Sequence, residues 1–296
     1  MKKTTKQKIL LYGGSGQIGS RFVELLRDHY SIVAPTHQEV DVTDRNQVEA
    51  VIQNTKPDHI LYAAGFTSID KAPENAREAF LANAGAMMIV CNKAKSFSIP
   101  VCYISTDIVF NGRKNDKPYT EKDSPDPLSL NAQFKRIGEF VTIESSSKNL
   151  AVRLDVCYSA YYPRRLDLAR LAASKVAAGE KFTATRNQKI NPIFVDDLVK
   201  AIEVMIARRA TGIYHVGTLD YTSPYQFAKK IARKLGLDET LVQPAEFEDF
   251  ARSRPEPRPQ NEWLDTKKFR RDFGNRILHT IDESIDLFAK QYHSQT

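Results

Sequence analysis

The stretch KILLYGGSGQIGSRFVELL, residues 8–26, decides the fold. KILLY (8–12) is a short apolar run halted by glycine, the pattern of a strand buried in a sheet. It leads straight into a turn in which Gly13, Gly16 and Gly19 recur every third residue, and RFVELL continues with helical periodicity. Glycines so spaced let the backbone turn tightly and approach a pyrophosphate, whose charge rests on the helix N-terminus. In this strand-turn-helix setting Gly13, Gly16, Gln17, Ile18 and Gly19 are expected to hold a dinucleotide.

The alternation continues through SIVAP (31–35), RNQVEAVIQN (45–54), HILYAAG (59–65), a helix around ENAREAFLANAGAMMIVCNKAK (74–95), and VCYIST (101–106). Strands alternating with helices imply a parallel sheet covered on both faces, an α/β Rossmann-type doubly wound fold. The acidic residue that would read an adenosine ribose should end the second strand, where Pro35, Thr36 and His37 stand instead. No arginine for a 2′-phosphate is evident either, so the choice between NAD and NADP stays open. Asp41 suits an adenine edge, or a cap on the helix beginning at Arg45.

Bulk properties exclude several classes. With 296 residues and 42% hydrophobic content, the chain can bury a large core. Cys91, Cys102 and Cys157 are odd in number, widely spaced and set in apolar sequence, so they read as free thiols in a reducing compartment. The net charge of +7 comes from basic residues scattered among acidic ones, a solvated surface and not a nucleic-acid footprint. No stretch approaches the roughly 20 apolar residues of a membrane helix, and the expectation is a soluble, cytoplasmic protein. No His-x-x-x-His, acidic cluster or Cys/His spacing points to a metal site. No G-x-S-x-G follows a strand as a hydrolase would require.

The glycine spacing, with YAAGFTSIDKAPE (62–74), ISTDIVFNG (104–112), PYTEKDSPDPLS (118–129), GIYHVGT (212–218) and RPQNEWLDTKKF (258–269), resembles the extended short-chain dehydrogenase/reductases, and within them the dTDP-4-dehydrorhamnose reductases. The resemblance implies hydride transfer from a nicotinamide to a 4-keto-6-deoxysugar nucleotide, with a tyrosine as acid, a lysine on the nicotinamide ribose and a hydroxyl steadying the carbonyl. It places Thr106 at the hydroxyl and Lys135 at the lysine, and sets Ala63, Ala64, Gly65 and Asn83 beside the cofactor. Asp107, Val109 and Tyr158, with Arg186, Arg254 and Arg258 for the diphosphate, become the expected substrate contacts. It further implies a division into 1–155, joined by parts of 189–220, and a small substrate lobe in 156–296. A homodimer is compatible with it.

The departure lies in SLNAQFKRIGE (129–139), where Asn131 occupies the tyrosine position and no shift of register brings in a phenol. An amide can donate a hydrogen bond but cannot release a proton near neutral pH. Three readings follow. The protein is a reductase drawing its proton from a water or another phenol, with Tyr158, Tyr161 and Tyr162 as surrogates. It is a cofactor-bound regulatory subunit, as the relative that serves as the β subunit of methionine adenosyltransferase is. Or Asn131 is an introduced substitution. A second departure is Ile108, where the family often carries tyrosine.

Overall fold

The apolar runs of the first half become the middle of a parallel sheet. In the computed structural model, which describes residues 6–294, β1 (Lys8–Tyr12), β2 (Ser31–Val33), β3 (His59–Tyr62), β4 (Val101–Ile104) and β5 (Leu150–Leu154) lie in one six-stranded sheet. The order is β2-β1-β3-β4-β5, closed at the far edge by Gly212–Val216. β1 to β5 pair in parallel with their neighbours. Ile9, Leu10 and Leu11 are wholly buried although successive side chains face opposite sides, because helices cover both faces. One core under the sheet gathers Leu10, Val48, Ile60, Met87 and Val90 with Tyr12, Tyr62 and Tyr103. These tyrosines stand in register on β1, β3 and β4.

The helices start where their capping residues allow. α1 (Gln17–Leu26) follows the glycine turn, and α2 (Arg45–Thr55) is capped by Asp44, whose carboxylate accepts from the backbone of Asn46 and Gln47. α3 (Ala76–Phe80) and α4 (Ala86–Ser96) are joined by a π-helical turn, Leu81–Gly85. α5 (Leu130–Ser145) is capped by the hydroxyl of Ser129. It lies so close to the π turn that a Cβ on Gly138 would stand 2.1 Å from the Asn83 carbonyl oxygen.

The chain divides into two units. The first comprises Met1–Thr106, Ser129–Arg153 and Ile202–Tyr214, and the second Asp107–Leu128, Leu154–Ala201 and His215–Thr296. Asp107–Leu128, inside the stretch expected for the first domain, thus belongs to the second unit. That unit holds α6 (Leu168–Ala177), the start of α7 (Val195–Ala207), α8 (Pro224–Lys234) and a last helix, Ile281–His293. Ser223 caps α8, its hydroxyl accepting from Gln226 N, with Pro224 in the first turn. Phe194, Phe227, Phe288 and Tyr158 meet in its aromatic core. No described helix is long and apolar enough to cross a membrane.

Candidate active site

The glycine turn is built for close approach. Gly13 has φ of +89°, and its carbonyl accepts from Gly16 N at 3.0 Å. A Cβ on Gly19 would stand 2.2 Å from that same carbonyl oxygen, so α1 can begin here only with glycine. Gly16 is the N-cap, no side chain caps α1, and no acidic residue lies in its first turn. The amides at Gln17 and Ile18 therefore begin a helix whose first turn carries no acidic residue, and the positive end of its dipole favours an anion. Ala63 and Ala64 follow β3 and lie against the turn, with Ala63 N donating to Tyr12 O at 2.9 Å, and Gly65 follows them toward Asn83 and Lys135. This cradle fits the pyrophosphate of a dinucleotide.

Asp41 does not cap α2, since Asp44 does. Its carboxylate is turned onto Thr43, accepting from the backbone N at 2.8 Å and the hydroxyl at 2.7 Å. An Asx turn satisfies Asp41 locally, leaving the cap to the residue three positions on.

Asn83 and Asn131 meet at the backbone of Phe66, and Lys135 lies beside the neighbouring Gly65. Asn83, wholly buried in the π turn, accepts from Phe66 N at 3.0 Å and donates to Phe66 O at 2.9 Å. Asn131, 3% exposed on the first turn of α5, donates its amide to the same Phe66 oxygen at 2.9 Å. One turn further, Lys135 Nζ donates to Ile104 O, at the carboxyl end of β4, at 2.8 Å. The ammonium lies 4.7 Å from the centroid of the Tyr103 ring and beside the backbone of Gly65. Thr106, half-buried, lies two residues beyond β4. Asn83 and Lys135, expected beside the cofactor, thus flank the loop after β3.

Beneath Lys135 is a buried charge network. Glu139 accepts from Arg153 at 2.8 and 2.7 Å in the paired geometry that guanidinium favours, from Arg136 at 3.0 Å and from Ser105 Oγ at 2.7 Å. Glu139 and Arg153 are all but fully buried. With Glu139 already matched by two arginines, burial dominates at the neighbouring lysine, and the Lys135 ammonium is pulled down to about 8 against a smaller opposing pull from Glu139. Tyr103, whose hydroxyl donates to Asn83 O at 3.1 Å, is pushed well above the ordinary phenol range by burial.

The second unit corrects two sequence expectations and supplies a feature the sequence did not reveal. Tyr158 is fully buried, its hydroxyl donating to Ser284 Oγ at 2.8 Å, so it is a core residue and neither a substrate contact nor a surrogate acid. Val109 is also wholly buried, packed with Phe110, Tyr119 and Leu264. Arg186 pairs with Glu246 on the surface, Arg254 lies over the Phe250 ring, and Arg258 donates to the Glu256 carbonyl.

Asp107 belongs to a cluster that no one stretch of sequence discloses. Its carboxylate lies within 4.8 Å of those of Asp155 and Glu262, all three buried. The sequence shows no acidic cluster because these residues come from three segments. Asp155 accepts from Val156 N at 2.6 Å and Asn191 N at 2.7 Å, and Gln188 donates to Glu262 at 3.1 Å. Burial lifts Asp155 to about 6. It lifts Glu262 well above the usual carboxylate range, helped by the charges of Asp107 and Asp155 and opposed by Arg258. Three carboxylates this close cannot all ionise at ordinary cost, so the cluster retains a proton where isolated acids have lost theirs.

A family model described as the RmlD substrate binding domain matches residues 7–293. The chain belongs to that family. The dTDP-4-dehydrorhamnose reductase of Escherichia coli is 28% identical over 278 residues, covering 90% of this chain and 92% of that protein. The spore coat polysaccharide biosynthesis protein SpsK of Bacillus subtilis is 27% identical over 252 residues, 84% of this chain and 87% of that protein. Among solved structures, the dTDP-4-dehydrorhamnose reductase of Bacillus anthracis in complex with NADP superposes with a TM-score of 0.89 at 25% identity, covering 99% of this chain and all of that one. The fold alone is shared with the UDP-glucose 4-epimerase of Thermus thermophilus complexed with NAD, at a TM-score of 0.83 and 18% identity over 98% of this chain and all of that one.

Proposed function

We propose that this member of the RmlD family is an NAD(P)H-dependent reductase of a 4-keto-6-deoxysugar nucleotide, of the dTDP-4-dehydrorhamnose type. The observation that carries the reading is Lys135, one turn along α5 from Asn131, with Nζ on the carboxyl-end carbonyl of β4 and beside Gly65. A lysine in that position is suited to grip a nicotinamide ribose. Gly13, Gly16, Gln17, Ile18 and Gly19 hold the pyrophosphate, Asp41 faces the adenine side, and Ala63, Ala64, Gly65 and Asn83 line the rest. A bound reduced nicotinamide supplies the hydride. Thr106 steadies the ketone oxygen, and Asp107, Arg186, Arg254 and Arg258 are the candidate sugar and diphosphate ligands.

What this reductase lacks is a phenol at residue 131. General acids contribute about 10²–10⁴-fold to such steps, and Asn131 has no proton to give. The test is oxidation of NADPH and NADH with dTDP-4-keto-6-deoxysugar by this protein and its Asn131→Tyr variant. The variant is expected to turn over about 10²-fold faster. Tight cofactor binding without ketosugar-dependent turnover in either protein would replace the reading with a cofactor-bound regulatory subunit.

A further inference from the structure

We propose that Lys135 itself delivers the proton to the ketone oxygen, the task Asn131 cannot perform. The inference rests on the reductase reading and deepens it. Asn131 is buried and its amide is engaged with Phe66 O. Tyr103, whose ring packs against the lysine, is buried with its hydroxyl committed to the Asn83 carbonyl. Lys135 differs from both. It is only partly buried, and among the described residues its Nζ makes a single hydrogen bond, to Ile104 O. An ammonium has three donors, so two remain for ligands.

Burial, not a neighbouring charge, favours release of that proton, and the nearby Glu139 opposes it only weakly. On α5, Glu139 is held by Arg153 from β5 and by Arg136, and Lys135 forms no ion pair with it. From β4 the lysine meets the Tyr103 ring and the Ile104 carbonyl, and from the loop after β3 the backbone of Gly65. With no carboxylate of its own and burial opposing its charge, Lys135 sits at about 8, near the range where an acid both holds and yields a proton at working pH. An ordinary lysine would hold its proton too firmly.

The step balances. The ketone carbon takes a hydride from NAD(P)H as its π pair moves to oxygen, and that oxygen takes a proton from Lys135 Nζ. The products are the alcohol, NAD(P)⁺ and a neutral lysine, which regains its proton from water. The net reaction consumes one ketone, one NAD(P)H and one proton.

The experiment replaces Lys135 by Ala and measures turnover at saturating cofactor and ketosugar, with ammonium chloride or potassium chloride added at equal ionic strength. The two cations are of similar size, but only ammonium can donate a proton. The variant is expected to lose about 10²–10⁴-fold in kcat and to recover at least about 10-fold with ammonium and not with potassium. Equal rescue by both would show that Lys135 supplies charge alone, and rescue by neither, with cofactor still bound, would assign the proton to another donor. Either result overturns the proposal and leaves the reductase standing. Absence of turnover by the unaltered protein at any pH, with cofactor bound, would overturn the proposal, and the reductase reading falls with it only if Asn131→Tyr is silent as well. A readout without turnover is the carbon NMR shift of the Lys135 side chain, identified by its loss in Lys135→Arg. A midpoint near 8 is expected, and one at about 10 or above contradicts the proposal.

Discussion

At the scale of single residues, the carboxylates of the second unit make the most direct prediction. Asp155 and Glu262 have folded-state pKa values raised above their unfolded values. The folded protein therefore keeps protons that the unfolded chain has already lost, and the contribution of these two groups to stability falls as pH rises from about 4. For Asp155 the fall spans 3.8 to about 6, and Glu262 extends it upward. Glu262→Gln keeps an acceptor for Gln188 and removes a charge, so it should stabilise the protein by about 1–2 kcal/mol at pH 8 and flatten the decline. Calorimetric melting at pH 5 and pH 8 checks this, and an equal decline in both proteins would contradict it. None of this was legible in sequence, since nothing local marks three distant acids as neighbours. Tyr158 was misread for a related reason: an aromatic at a strand end looks the same whether it lines a ligand or fills a core. Lys135 and Asn131 were legible because both sit on one helix, where four-residue spacing fixes their relation.

At the scale of elements, the π turn and α5 define each other. The extra residue per turn in Leu81–Gly85 accompanies the inward placement of Asn83, which grips both polar atoms of the Phe66 peptide. α5 reaches this turn only because Gly138 has no side chain. Gly138→Ala would gain helix propensity on an exposed helix, but here its methyl would meet backbone at 2.1 Å. The variant should lose about 1–3 kcal/mol and bind cofactor more weakly as Lys135 shifts with its helix. Denaturant unfolding with a cofactor titration tests both, and unchanged values in each would contradict the contact. The strands were readable because a strand buried on both faces is written as an unbroken apolar run, as in KILLY and HILY. The sequence read one helix over 74–95. The structure divides it, because a single widened turn leaves no trace in hydrophobic period.

At the scale of the molecule, both units are assembled from separated segments. A division near residue 155 captures five of the six sheet strands, but the sheet is completed by Gly212–Val216. A fragment of residues 1–155 would leave the outer edge of β5 unpaired, and such edges recruit other chains. The fragment is expected to be aggregated or insoluble, as judged by sedimentation and size-exclusion chromatography. A soluble, cooperatively melting monomer would contradict that reading.

The late sixth strand also bears on how the chain is born. On the ribosome, β5 is finished well before Gly212–Val216 emerges, and at about 5–20 residues per second the wait lasts several seconds. Throughout that interval the nascent sheet presents an open border of Leu150, Ala151 and Val152, residues that the finished fold buries completely or nearly so. The period of greatest exposure to chaperones and to misassembly is therefore set by the order in which the segments are translated.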